Sequence, residues 1–420
     1  MKSKYYVPFT KEMIKDYTIL VPNMLPVHFK LIIQVLRNYG YNIELLESDG
    51  PQIAQTGLKY VHNDTCYPAI LVIGQFIDAI ESGRYDPHKT ALILFQTGGG
   101  CRASNYISLL RKALEKAGYG YVPVISFSLA GIEKHTGFQL TVPLLQRMIY
   151  GVMYADLILL LTNQCKPYEL HKGDTEAVAD RLTAELVEQM RVQGVHARML
   201  EKNYRYIIDA FANIPMERTN KVKVGVVGEI YVKYSPLGNN GLEQFLVDEG
   251  AEVAMPGLLD FCMYTTHQYA QNTRPTLFAH IKAFVMSKVY NYLLKKQEEL
   301  IRIIREDGRF RAPTPFTHTM DLIRDYMSLG CKMGEGWLLP AEMLELADMG
   351  IHNIVCTQPF GCLPNHICGK GMQKPLKERN PDMNIVAIDY DASASKVNQE
   401  NRLKLMLASA AEKEFGAKVH

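Results

Sequence analysis

The chain has 420 residues, 47% of them apolar, and its 46 basic and 44 acidic side chains leave a formal net charge of +2. That length suits two or three globular domains, and charges of both signs are interspersed, which argues against a nucleic-acid or anionic-membrane surface. Met1-Lys2-Ser3-Lys4-Tyr5-Tyr6 lacks a signal peptide's apolar core, and Leu140 to Leu161 is interrupted by Gln146, Arg147 and Asp156, so a cytoplasmic protein without a membrane span is expected.

Thr18 to Val21 reads as a strand, Pro26 to Tyr39 as a helix with apolar residues at helical spacing, and Asn42 to Leu46 as a second strand. A helix opening at Cys66 runs to about Ser82, with Asp64 or Thr65 as its cap and Pro68 in its first turn. The strand Ala91 to Phe95 then enters Gln96-Thr97-Gly98-Gly99-Gly100-Cys101-Arg102, where a helix to about Ala117 begins, and Val122 to Ser126 follows as a strand. This alternation predicts an α/β fold, a mostly parallel sheet whose ligands gather beyond the carboxyl ends of the strands. Leu140 to Leu161 is expected to continue as buried helix and strand. Asp174 then caps a long amphipathic helix to about Val192, and another helix runs to about Ala212.

From Lys221 the opening pattern returns: strand Val222 to Val227, a polar loop, helix Asn240 to Asp248 and strand Ala251 to Ala254. Two α/β domains of one type follow, residues 1–215 and 216–420. The second carries Cys262, a helix from about Pro275 to Arg305, Cys331 after Gly330, and a short strand Asn353 to Val355 that delivers Cys356. Cys356, Cys362 and Cys368 then recur every six residues among glycines and prolines, the pattern of a coordinating loop. Strand Asn384 to Ile388 and a helix from Lys396 to about Ala411 end the pattern.

Eight cysteines in a reducing compartment are left for packing, catalysis or metal binding. None forms a Cys-x-x-Cys pair, so a metal site has to be assembled from distant loops. Three consecutive glycines let the backbone approach a ligand, and a thiol at a helix mouth is stabilised as thiolate; Cys66 and Cys101 both sit so. The glycine loop lacks the Gly-Lys-Ser/Thr ending of a phosphate-binding P-loop. Soft thiolates select iron–sulfur clusters or zinc. Cys66 and Cys101 are the expected ligands in the first domain and Cys356 and Cys362 in the second; Cys262 and Cys331 rank next, and Cys165 and Cys368 last. His62 and His366 lie beside cysteines but read more simply as ordinary histidines. Lys370 reads equally well as an anion contact or a plain turn lysine.

Four segments carry a resemblance: Val61-His62-Asn63-Asp64-Thr65-Cys66-Tyr67-Pro68, Thr97-Gly98-Gly99-Gly100-Cys101-Arg102-Ala103, Gly334-Glu335-Gly336-Trp337-Leu338 and Gln358-Pro359-Phe360-Gly361-Cys362-Leu363-Pro364-Asn365-His366. Over nearly its whole length the chain resembles the 2-hydroxyacyl-CoA dehydratase superfamily, in its activase-related and double-cubane branch. The resemblance implies two flavodoxin-like or Rossmann-like domains with parallel sheets and a metal cluster in the interdomain cleft, often in a homodimer. It also implies a 4Fe-4S cube on three cysteines, or an 8Fe-9S double cubane on six. Six thiolates out of eight favour the double cubane, with Cys66, Cys101, Cys262, Cys331, Cys356 and Cys362 as candidate ligands.

The function expected from this resemblance is a cluster-based reductase of a small molecule, fed with low-potential electrons by an ATP-hydrolysing activator protein. A 2-hydroxyacyl-CoA dehydratase subunit working by ketyl-radical dehydration of an acyl-CoA is the first alternative. A non-enzymatic electron relay or cluster scaffold is the second, and a nucleotide enzyme with structural cysteines the third.

Overall fold

The computed structural model describes residues 5–95, 100–127, 136–271 and 276–416. In the first half these comprise β1 (Thr18–Pro22), α1 (Pro26–Asn38), β2 (Ile43–Leu46), α2 (Pro51–Tyr60), α3 (Tyr67–Glu81), β3 (Thr90–Phe95), α4 (Tyr106–Lys116), β4 (Val124–Phe127), α5 (Val142–Cys165), α6 (Asp174–Gln193) and α7 (Ala197–Ala212). In the second half follow β5 (Lys223–Gly228), α8 (Ile230–Tyr234), α9 (Pro236–Asn239), α10 (Leu242–Asp248), β6 (Glu252–Ala254), α11 (Leu258–Ala270), α12 (Leu277–Asp307), α13 (Phe316–Ile323), α14 (Leu338–Asp348), β7 (Asn353–Pro359), α15 (Gln373–Arg379), β8 (Asn384–Tyr390) and α16 (Lys396–Phe415).

The eight strands form two four-stranded sheets, ordered β2-β1-β3-β4 and β6-β5-β7-β8, and every pairing is parallel. Strands such as Ile19 to Val21, Ala91 to Leu94 and Ile354 to Cys356 are buried, as parallel strands covered on both faces must be. In both sheets the chain reverses direction of winding between the first and third strands of its half, β1 and β3 or β5 and β7. Crevices at such reversals are where open α/β sheets hold ligands.

Two close contacts fix the pieces that border these crevices. Helices α2 and α3 cross on glycines: an added Cβ on Gly57 would lie 2.1 Å from the Ile70 carbonyl oxygen, and one on Gly74 2.1 Å from that of Ile53. This crossing sets the position of the α3 N-terminus. The second contact joins the halves. Asp156, inside α5, accepts hydrogen bonds from the amides of Leu258 (2.7 Å) and Leu259 (2.8 Å), the start of α11, and its Oδ1 lies 2.6 Å from His28 Nε2. Its carboxylate therefore satisfies orphan amides at a helix end that lacks a side-chain cap of its own. Gly257 has no Cβ for this reason, since one would stand 2.7 Å from the Asp156 Cγ. Arg311 and Tyr168 add a polar seam, each bonding one Glu252 oxygen at 2.7 Å.

Several expectations change. Leu140 to Leu161 does not break into helix and strand: α5 is one helix, started by Pro143 and the Thr141 side chain and buried along most of its length. It is the one helix among the described residues long and apolar enough to cross a membrane, and 67% of its most apolar stretch is buried within the fold. The helix expected from Asn240 to Asp248 starts two residues later, as α10, because Asn240 (φ 58) and Gly241 (φ 74) adopt left-handed backbone, and the stretch expected as a polar loop before it holds the short helices α8 and α9. Strand β7 runs on through Cys356 to Pro359, paired with β5 on one side and β8 on the other, so Cys356 is a strand residue and not a loop residue. Cys262 lies within helix α11.

Asp156→Ala is expected to lower unfolding stability by about 2–4 kcal/mol, since two helix-end amides and a buried histidine lose their partner. Gly74→Ala is expected to cost about 1–3 kcal/mol by forcing α2 and α3 apart. Urea denaturation measures both, and a loss under about 0.5 kcal/mol in either would remove that contact from the framework.

Candidate metal centre

Three thiols, those of Cys66, Cys101 and Cys362, lie on loops beyond the strand ends of both sheets, near enough for the charge of Cys66 to act on Cys101 and that of Cys101 on Cys362. Cys66 precedes α3 in extended backbone, and the next residue, Tyr67, donates its amide to the Phe360 carbonyl at 3.0 Å. A Cβ on Gly361 would lie 3.0 Å from the Cys66 Cα, and Gly361 also has φ +72, so glycine suits the position twice over. Cys362 follows directly. Cys101 opens a 3-10 turn, Arg102–Asn105, and lies against the Gly334 and Pro364 loops: a Cβ on Gly334 would reach 3.8 Å from the Cys101 Sγ and 2.9 Å from the Pro364 Cγ. Arg102 ties the two first-domain loops together by donating to the Asp64 carbonyl at 2.7 Å. Glycines 98 and 99 of the preceding loop lie outside the described residues.

Two carboxyl groups join the thiols. Glu229 follows the last residue of β5 and accepts from the Val232 amide at 2.9 Å, while Glu335 accepts from the Ile230 amide at 3.0 Å. Both therefore bind the start of α8. Burial and the Glu335 charge push Glu229 up to about 8, and burial raises Glu335 as well, against the pull of its hydrogen bond to Ile230. The thiols respond in the same way. Burial and then Glu335 push Cys101 up to about 12; Cys362 rises through burial, Glu335, Glu229 and Cys101. Cys66 is raised by burial, with the Tyr106 hydroxyl 3.0 Å from its sulfur pulling the other way.

The remaining cysteines divide. Cys331 is exposed, and its carbonyl accepts from the Trp337 amide at 2.8 Å. Its charge and that of Glu335 add to burial in pushing Cys368 up to about 11, so Cys368 lies near both. Cys368 lies in a π-helical turn, Asn365–Lys370. Cys356 instead faces Asn365 and Gly369 behind the sheet, 3.7 Å from the Asn365 Oδ1. The charges acting on Cys262 are those of Asp156 and Asp260, not of other cysteines. Cys165 is buried at the end of α5. His62 and His366 are exposed, and Lys370 is paired with Asp389 at 3.2 Å.

No family model matches the chain, and no curated protein matches it.

The donor set can be tested against an iron–sulfur group by its own chemistry. Buried thiols and carboxyls that raise one another's pKa require protons or a cationic partner, and sulfur donors favour soft metals. Among the described residues no three His, Cys, Asp or Glu side chains close on a point as they would around a single ion. Thiolates on one zinc would stand only about 4 Å apart. Cys66, Cys101 and Cys362, with Gly334 and Gly361 leaving no side chains beside them, are donors of the type that an iron–sulfur group takes.

Of the expected ligands the structure brings Cys66, Cys101 and Cys362 near one another; Glu229 and Glu335 beside them were not among the expected residues, and Cys368 was ranked last. Glu335 lay inside a quoted motif, and its flanking glycines (φ +59 and +49) were the available signal of an unusual backbone. Glu229 follows a strand end, where ligands of such sheets gather.

A pH prediction follows from Glu229. In the unfolded chain its carboxyl loses a proton near 4.5, in the fold near 8, so between these values the native state holds the extra proton and stability falls as pH rises. Metal-free protein is expected to lose urea resistance from pH 5 to 8, and Glu229→Gln to flatten that slope. An unchanged slope in the variant would assign the dependence elsewhere.

Proposed function

We propose that the chain is an iron–sulfur reductase that takes low-potential electrons from an ATP-hydrolysing activator protein and reduces a small molecule. The observation that supports this reading is that Cys66, Cys101 and Cys362, drawn from both halves of the chain, lie near one another and beside two buried carboxyls. These three thiols would hold one 4Fe-4S cube. Cys331 and Cys368 lie near it, two of the three thiols that a second cube of an 8Fe-9S form would take, so the five thiols fill a single cube and leave the double cubane one ligand short.

Bound there, such a cluster supplies one-electron chemistry and an iron without a protein ligand. The chain's own residues do the rest. Glu229, whose carboxyl burial and the Glu335 charge push up to about 8, would supply a proton to a reduced substrate; Glu335 holds α8, and Glu229 with it, in position. The Tyr106 hydroxyl fixes the direction of the Cys66 sulfur. Phe360, Leu363, Ile367 and Met333 leave about half of their surface exposed on the same loops, an apolar collar suited to an activator protein docking over the thiols. Leu277, Ile281 and Phe284, exposed along α12, support a second copy of the chain as a further partner.

A dehydratase acting on a hydroxyacyl-CoA is the second reading. It is favoured by the number of thiols in the first group, since three thiolates match the single-cube arrangement that the resemblance implies for dehydratases.

Iron and acid-labile sulfide per chain, on protein purified without oxygen, test the proposal. About eight irons are expected for the double cubane and about four for the single cube. Cys66→Ser, Cys101→Ser and Cys362→Ser should each lose most of the iron, while Cys262→Ser and Cys356→Ser should retain it. Iron-free protein, or full iron in the first three variants, would overturn it.

A further inference from the structure

The thiols of Cys66, Cys101 and Cys362 have different surroundings. Each has a backbone amide of its own turn nearby that favours the thiolate: Ala69 for Cys66, Ala103 for Cys101 and Asn365 for Cys362. Cys66 has a hydroxyl as well. The Tyr106 hydroxyl lies 3.0 Å from its sulfur, and no side-chain hydroxyl among the described residues bonds the sulfur of Cys101 or Cys362.

Local structure puts Tyr106 there. Cys101 opens the 3-10 turn Arg102–Asn105, and Tyr106 follows as the first residue of α4. One short segment, residues 101–106, thus supplies one thiol of the site and a hydrogen-bond partner for another. Tyr106 is 6% exposed and Cys66 4%, so water does not compete for either group. Among the described residues the Cys66 sulfur is the one hydrogen-bond partner of this hydroxyl.

The chemistry of the pair fixes its direction. A free thiol and a phenol can each donate, but a thiolate bound to metal has no proton, so the phenol must then donate. The two states also differ in energy. A thiol sulfur is a weak acceptor and leaves a buried hydroxyl poorly compensated, a cost that a phenyl ring of the same shape would not have. A thiolate makes a charge-assisted bond, roughly twice as strong as a neutral one. A tyrosine buried at this point therefore favours a charged Cys66 sulfur, the form that a metal requires.

A hydrogen bond draws electron density from the sulfur that receives it, and such bonds help to set the potential of an iron–sulfur group. We infer that Tyr106 is a positioning residue that tunes the metal group through Cys66: its hydroxyl donates to the bound Cys66 sulfur, makes that thiolate the weakest electron donor of the three, and raises the reduction potential. An added electron is then favoured on the Cys66 side. The inference rests on the iron–sulfur reading of the three thiols.

Tyr106→Phe removes one oxygen and keeps the ring, and it tests the inference on the full chain purified without oxygen. The variant should hold as much iron and sulfide as the wild type. Its midpoint potential in a dye-mediated titration should be more negative, so that at the wild-type midpoint the ratio of reduced to oxidised protein falls about three- to tenfold. Resonance Raman spectra give a second signature: the iron–sulfur stretching bands of the wild type should shift in deuterium oxide, and part of that shift should be missing from Tyr106→Phe. Tyr67→Phe is the control, because it removes a neighbouring hydroxyl that feels Asp391, and it should leave both readouts unchanged. Iron-loaded Tyr106→Phe with the wild-type potential and deuterium shift would overturn the inference and leave the iron–sulfur reading standing. So would an equal change in Tyr67→Phe, or a wild-type spectrum that deuterium does not move, which reads the bond even if Tyr106→Phe does not fold. Wild-type chain without iron would remove the reading and the inference together.

Discussion

Mutual repulsion among acids is the constraint on which this molecule turns. Cys66, Cys101, Cys362, Glu229 and Glu335 are gathered away from water, each losing solvation and most of them raising a neighbour's pKa. Arg102 and Lys233 oppose this only in part: Lys233 is already held by Glu342 at 3.0 Å in a buried pair. Folding alone gives no reason to collect such groups, since apolar side chains would fill the space at lower free energy. A site of this kind makes physical sense when protons or a soft metal group complete it.

The rest of the architecture serves that approach. Two sheets of identical strand order bring their winding reversals toward one another, and the loops beyond β3, β5 and β7 carry Cys101, Glu229 and Cys362. Glycine makes the approach possible at three places: Gly57 and Gly74 seat α3, and Gly361 admits the Cys66 backbone. Asp156 then fastens α11 to α5 through two amides and His28.

Much of this was legible in order but not in arrangement. Alternating strands and helices gave the parallel sheets, helix mouths and glycines pointed to Cys66 and Cys101, and the six-residue spacing of Cys356, Cys362 and Cys368 pointed to the loop that carries Cys362. Cys356 belongs to a seven-residue strand whose side chains alternate between faces, and its thiol points into the packing of Asn365 and Gly369. Cys262 lies on a helix and feels Asp156 and Asp260, and Cys368, ranked last, feels both Cys331 and Glu335.

The sequence by itself determined the α/β class, the repetition of one strand and helix pattern in each half, and the helix-mouth setting of two thiols, because periodicity, caps and glycines act over a few residues. Only the tertiary structure decided which cysteines share a site and that two carboxyls stand with them. Those facts depend on contacts between positions as far apart as Tyr67 and Phe360 or Asp156 and Leu258. Local propensity carries no information about which strand end will face which.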